Sequence, residues 1–323
     1  MKYACYAQSD SLVLKNGDVL VGEAKEMDRG VLTFETDYSD SDFKIEWDKI
    51  EKIYTNTYFL ITLTDGSRFH GRIASKDSVN VNVIMGDTLG SGPLENIVFL
   101  KSVDSSIWSN LSASIDLGYS LTKANNLRQF SVRSTFGYLS ERWSADANYN
   151  NVYSSQDEVE DVRRVDAGLI YRYLLPKDYF LLAQLSWLSN TEQSLTLRTT
   201  SKLGAGKYLI HTNRTYWGVQ TGVSFNNENF SSEDATKRSG EAFAGTELNM
   251  YDVGDLNLRT NIVVYPSFTE SGRWRVDYTF DMKYELPLDF YINLGLTLNY
   301  DNQAVENSSD TDYVIQTTFG WEL

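Results

Sequence analysis

The chain reads as all-β: a 12-stranded antiparallel transmembrane β-barrel preceded by a tandem SH3-like or Sm-like small β-barrel domain. Three observations predict this. Residues 10–103 repeat themselves with a period of about 49 residues, alternation of apolar and polar residues then persists from 108 to 323, and the connections between the alternating runs switch regularly between tight and long.

Composition sets the outer limits. The 323 residues are 41% hydrophobic and 13% aromatic, enough for a sizeable core. A single cysteine excludes a disulfide framework and a cysteine-based zinc cluster. The formal net charge of −15 argues against a nucleic-acid partner, because phosphate binding needs a basic stripe. No apolar run reaches the roughly 18 residues of a membrane-spanning helix, a test that a membrane β-barrel escapes because its signal is spread over alternate residues.

Residues 1–9 read as a signal remnant: Cys5 and Ala7 are small residues placed as at the end of a secretory leader. Residues 10–56 and 57–103 are the two copies of the repeat. Leu12–Glu23 is echoed by Leu60–Arg72, and Asn16-Gly17 and Asp65-Gly66 are dipeptides that close two-residue hairpins. Alternating strands at Val31–Phe34 and Val79–Val83 lead into Trp47–Ile53 and Leu94–Phe99. The Sm likeness would imply RNA, but acids outnumber bases here and no basic cluster occurs, so contact with an envelope protein partner or a spacer role is expected of this domain. His70 lies on a strand and reads as structural, and Asp37, Asp40 and Asp42 as a solvated acidic loop.

In residues 108–323, strands are expected to start at Trp108, Phe130, Trp143, Arg164, Tyr179, Leu195, Thr215, Glu241, Leu256, Trp274, Phe290 and Asp312. The connections after even-numbered strands are tight, as at Ser140–Arg142, Pro176–Asp178, Thr212–Arg214, Val253–Asp255 and Pro287–Asp289. Those after odd strands include long acidic stretches at 154–162, 226–240 and 301–311. Short turns at one end, longer loops at the other and an even strand count are the layout of an outer-membrane barrel with its N-terminal domain in the periplasm. A sandwich has no reason to keep this parity.

Tryptophans should mark the two membrane interfaces. Trp108, Trp143, Trp217 and Trp321 fall at the short-turn end and Trp187 and Trp274 at the loop end, forming the expected girdle. The last strand puts Tyr313, Ile315, Phe319, Trp321 and Leu323 on one face, a pattern resembling the C-terminal signal read by the outer-membrane assembly machinery.

If the apolar face meets lipid, the other face lines the lumen. It then carries Asp116, Asp146, Asp166, Glu247, Asp277, Asp281, Glu285 and Glu322 with Arg133, Arg164, Arg172, Arg198, Lys202, Arg259, Arg275 and Lys283. Each base turned outward near the bilayer midplane would cost about 2–4 kcal/mol, so the set would overwhelm a stability of order 10 kcal/mol. Paired signs on a narrow interior form either a salt-bridged plug or a small aqueous channel.

Leu188–Thr200, followed by Leu203-Gly204-Ala205-Gly206-Lys207-Tyr208 and His211–Thr215, resembles the central motif of a bacterial family, domain of unknown function 481, whose members are described as salt-induced outer-membrane proteins. Leu117–Lys123 and Gly320-Trp321 also fit, whereas Ala124-Asn125-Asn126 departs from the Gly-Asn-polar turn expected after the first strand. The resemblance spans 108–323 and implies a location in the outer membrane of a Gram-negative bacterium, in contact with its lipid and lipopolysaccharide; it implies no activity.

No catalytic constellation is expected. His211 is the one histidine of the C-terminal region, and no serine near it sits in a G-x-S-x-G elbow. No cofactor or metal site is expected; Asp157, Glu158, Glu160 and Asp161 read as a solvated acidic loop, with cation bridging to lipopolysaccharide phosphates as the alternative. The competing functions are therefore a structural, accessory or partner-docking barrel, a porin-like small-solute channel, and a secreted soluble β-sandwich or adhesin.

Overall fold

The computed structural model describes residues 9–86, 88–103, 111–123, 126–140, 142–191, 195–230, 236–303 and 310–321. They form two β-systems. The first contains β1 (Asp10–Leu14), β2 (Val19–Asp28), β3 (Val31–Glu35), β4 (Phe43–Glu46), β5 (Ile50–Tyr54), β6 (Phe59–Leu63), β7 (Arg68–Ser75), β8 (Asn80–Met85), β9 (Thr88–Pro93) and β10 (Ile97–Ser102). The repeat is present strand for strand: β1–β5 and β6–β10 are equivalent, and a three-residue 3-10 turn precedes the last strand of each copy, at Trp47–Lys49 and Leu94–Asn96.

The two copies close together. Antiparallel pairing runs β1–β5–β7–β6–β10–β2 and returns to β1, a six-stranded ring to which each copy contributes three strands. One shared core fills it, with Phe34, Met27 and Ile53 from the first copy packed with Phe59, Ile61 and Leu100 from the second, all fully buried. Equivalent positions meet across the pseudo-twofold, where Trp47 Nε1 donates to the Leu94 carbonyl at 3.1 Å. Asp10, also fully buried, is satisfied by the backbone amides of Ala24, Asn56 and Thr57 and so pins the junction between the copies.

The first hairpin of each copy is tight but longer than expected. Leu14 N–H donates to the Asp18 carbonyl and Gly17 N–H to that of Leu14, with only Gly17 at positive φ (92°). The loop therefore has three residues, a type I turn whose bulge residue is glycine, and Gly66 (φ 75°) repeats the arrangement.

The second system is a 12-stranded antiparallel sheet in simple sequential order. Its strands are β11 (Leu111–Thr122), β12 (Leu127–Leu139), β13 (Trp143–Gln156), β14 (Val159–Leu174), β15 (Tyr179–Asn190), β16 (Leu195–His211), β17 (Thr215–Phe230), β18 (Thr236–Val253), β19 (Leu256–Pro266), β20 (Trp274–Leu286), β21 (Phe290–Asp301) and β22 (Thr311–Trp321). Most expected starts coincide with observed ones. β12, β14 and β18 begin earlier because the stretches expected as loops are largely hairpin arms. Residues 154–162 turn within Asp157-Glu158, with Glu158 at φ 64°.

The ladder register climbs steadily. One row of directly opposed residues starts at Ser112, at the short-turn end of β11. It passes through Gly137, Asp146, Ile170, Gln184, Lys202, Ser224 and Glu241 and reaches Ser267, beyond the loop end of β19. Such stagger is what barrel curvature requires of its strands. Burial identifies the enclosed face: on this row Ser224 and Glu241 are 0% exposed, whereas Leu203 and Phe225 on the opposite face are 59% and 51% exposed. Among the described residues no ladder joins β22 to β11, and the ring expected from the sequence ends there in a seam. Beside the seam the inner face carries small and polar residues, Ser112, Ser114 and Gly118 on β11 and Gln316, Thr318 and Gly320 on β22, and the inner apolar cluster does not extend past β19.

Candidate functional site

The enclosed face and its short-turn mouth hold the candidate site. Of the charges expected to share one face, Glu322 lies outside the described residues. All the others, from Asp116 on β11 to Glu285 on β20, fall on the face of the Ser112–Ser267 row, because direct pairing carries one parity from strand to strand. Several of them form local pairs. Arg164 meets Asp166 at 3.1 Å, Arg172 meets Asp146 at 3.4 Å, and Lys283 meets Glu285 at 3.6 Å while its ammonium lies over the Tyr291 ring. Arg133 lies opposite Asp116 and Arg259 opposite Asp281 in the ladder.

The densest part was not anticipated. Arg275 forks onto Glu241, with Nε–Oε1 at 2.9 Å and Nη2–Oε2 at 2.8 Å, and Glu241 also accepts from Asn226 Nδ2 at 3.1 Å. Lys202 donates to the Tyr265 hydroxyl at 2.8 Å, and its ammonium and the Arg275 guanidinium both lie 4.8 Å from the Tyr265 ring centre. Beside these groups Phe180, Leu182, Phe243, Val263 and Tyr265 form a buried apolar cluster on the inner face. Arg198 pairs with Glu228 at 2.7 Å, another acid outside the expected set. Parity could have revealed Glu241, two steps along β18 from Phe243 and six from Glu247, but the strand was expected to begin at Glu241 and the residue therefore seemed to lie on a rim. Phe180 and Leu182 make both faces of β15 apolar, and alternation alone does not flag them.

At the short-turn end the N-terminal domain sits on the sheet. Asn213 Nδ2 donates to the carbonyls of Ile97 (2.9 Å) and Glu95 (3.3 Å), and Arg214 pairs with Asp48 at 2.8 Å. The Arg29 guanidinium lies 5.1 Å from the centre of the Tyr251 ring. Two glycine turns make the approach: a Cβ on Gly30 (φ 73°) would stand 3.1 Å from the Asn213 carbonyl, and one on Gly66 (φ 75°) 2.5 Å from the Asp178 amide. Next to Gly66, Arg68 enters a field set by Tyr208, Asp178 and Tyr216; burial draws its guanidinium pKa below the ordinary value, and those three groups oppose the shift. Inner-face aromatic rings continue from Phe180 through Tyr208, His211 and Tyr216 to Tyr251, with successive centroids 4.8–5.8 Å apart. His211 Nδ1 stands 2.8 Å from Asp178 Oδ1. This histidine thus belongs to the mouth, and a cleft of about 570 Å³ remains between the domains, bordered by Arg29, Trp47, Asp48, Arg214 and Tyr251.

The other expected features take these places. Trp143, Trp217 and Trp321 stand on the outward face at the short-turn end, and Trp187 and Trp274 on the same face at the loop end. Trp108 lies outside the described residues. Trp143 stacks between Tyr138 (4.8 Å) and Tyr171 (5.8 Å), and Trp321 Nε1 donates to the Leu288 carbonyl at 3.1 Å. Tyr313, Ile315, Phe319 and Trp321 are all more than half exposed on that face; Leu323, like Cys5, lies outside the described residues. His70 is on β7, and Asp157 and Glu158 form the tip of the β13–β14 hairpin.

No helix among the described residues is long and apolar enough to cross a membrane, a statement that leaves strand-built spans untouched. A search of curated proteins finds no match. The sequential sheet, its outward apolar face and its inward charges coincide with a family match: the model for "Protein of unknown function, DUF481" covers residues 115–322, and the chain belongs to that family.

Proposed function

We propose that this chain is an outer-membrane β-barrel of a Gram-negative envelope with a structural or accessory role, its N-terminal domain facing the periplasm as a docking module seated on the barrel mouth. The observation that carries the proposal is the register. Every described charge of the expected set lies on the enclosed face, while Leu117, Leu203, Leu181 and Ile262 lie exposed on the other between two tryptophan rims. So broad an exposed apolar face is at home against hydrocarbon and not in water. The membrane-lipid and assembly-machinery contacts expected from the sequence follow from the same reading.

The buried cluster around Tyr265 and the docked mouth favour a closed interior over an open pore. The channel reading keeps one support: clefts of about 450 Å³ and 340 Å³ on the inner face, bordered by Arg259, Asp281 and Lys283 and by Asp166, Gln184 and Arg198 respectively. Fractionation tests the location. The protein should stay with the outer membrane through high-salt washing and leave it only in detergent, and recovery in the soluble periplasmic or secreted pool would refute the barrel reading. Planar-bilayer recordings then separate the two barrel roles, since sustained conductance by the intact chain would overturn the structural one.

A further inference from the structure

The outward face is not apolar throughout. At its loop end Thr199 and Ser201 of β16, Asn227 of β17, Arg238 of β18 and Thr269 beyond β19 surround a notch of about 480 Å³ walled by Phe225. Register places it at the interface, because Thr199 lies directly opposite Trp187 of the loop-end rim. Phe268 folds back against this face and meets Phe225 edge-on, with centroids 6.1 Å apart; it lies over Gly240, where a Cβ would come within 2.5 Å of its ring.

Three properties point to the occupant. Among the described residues no acidic side chain borders the notch, although the chain as a whole carries −15. Arg238 is exposed and donates through Nε to Asn227 Oδ1 at 3.2 Å, which fixes the guanidinium plane. Its terminal amino groups have no acceptor among the described residues. A planar fork held this way suits the paired oxygens of a phosphate. Below the notch Leu203, Val223 and Ile262 continue the exposed apolar surface towards the short-turn end, where acyl chains attached to such a headgroup would run.

We propose that the notch seats the phosphorylated sugar headgroup of a glycolipid of the outer leaflet, with Arg238 taking the phosphate and the hydroxyl and amide groups of Thr199, Ser201, Asn227 and Thr269 meeting the sugar. This rests on the membrane reading above, because the notch must lie at the bilayer surface. The polar lining favours a sugar over the simpler headgroup of a phospholipid.

The test is native mass spectrometry of the full chain in detergent, titrated separately with diphosphoryl lipid A, phosphatidylglycerol and inorganic phosphate. Lipid A should be retained, and Arg238→Gln should weaken its retention by about tenfold, the loss expected of one charge-assisted bidentate contact. The variants Thr199→Val and Ser201→Ala, which leave the Arg238–Asn227 contact intact, should weaken lipid A while leaving phosphatidylglycerol unchanged. Equal retention of lipid A by the wild type and Arg238→Gln, or equal affinity for the two lipids, overturns the proposal. Heat-modifiable migration of each variant on gels confirms that it has folded. A failure of the membrane reading is distinguishable, because the protein would then enter buffer without detergent.

Discussion

Glu241→Ala asks whether the interior is dry. The carboxylate is fully buried and accepts two hydrogen bonds from Arg275 and one from Asn226, so its removal takes both acceptors from the guanidinium and leaves the Asn226 amide only Ser239 Oγ at 3.4 Å. In a water-poor interior, breaking such a pair from one side costs about 3–5 kcal/mol. In an aqueous channel water would resolvate the arginine, and the loss would be that of an exposed pair, about 0–1 kcal/mol. Against a total stability of about 5–15 kcal/mol the first outcome is readily measured. The assay is equilibrium unfolding by urea in lipid vesicles, followed by tryptophan fluorescence and gel mobility. The double variant Glu241→Ala with Arg275→Met should lose less than the sum of the two single changes, because the uncompensated charge disappears. A cost below about 1 kcal/mol for Glu241→Ala would refute the dry interior and restore the channel as the better reading.

Leu203→Arg, outward and mid-strand, should destabilise the folded state in vesicles by about 2–4 kcal/mol, whereas Gln184→Arg on the inner face should be far milder; equal effects would contradict the face assignment. Arg29→Ala combined with Asn213→Ala should loosen the N-terminal domain, read as faster proteolysis between residues 103 and 111, and unchanged cleavage would count against the docked mouth. A cysteine at Ile115 paired with one scanned over Tyr313–Phe319 should give an oxidised cross-link in membranes if the seam closes there, and failure at every position would leave the sheet open. The Asp77 carboxylate, held below the usual aspartate range by the backbone amides of Asn80 and Val79, stabilises its turn at and above that range and loses the contribution as pH falls through the depressed value. The protection factors of the Val79 and Asn80 amides, taken relative to the intrinsic exchange rate at each pH, should fall on acidification, and Asp77→Asn should flatten that response.

Much of this was legible in the sequence, for physical reasons that also explain the remainder. The starts at Trp143, Tyr179, Leu195, Thr215, Leu256, Trp274 and Phe290 coincide with β-strands because each opens an apolar-alternating run at one rim of the sheet. Alternation records environment and not hydrogen bonding, so the arms around Glu160 and Lys237, which leave the apolar layer, looked like loops although their ladders continue. The repeat was visible in Asn16-Gly17 and Asp65-Gly66, but a period cannot say whether two copies close separately or on each other. Arg29 and Arg68 had no local signal. Their neighbours in the chain are those of ordinary surface residues, and only the docked turn at Asp178 and the Tyr251 ring give them a setting.

The interlocked ring of the N-terminal domain has a consequence for biogenesis. Since β2 is held by β10 and β7 by β5, neither half has a finished wall until the other has been synthesised. The domain becomes rigid only after Ser102 has emerged, immediately before β11. A chain cut between residues 56 and 57 should yield two sticky fragments that recover their shape by finding each other.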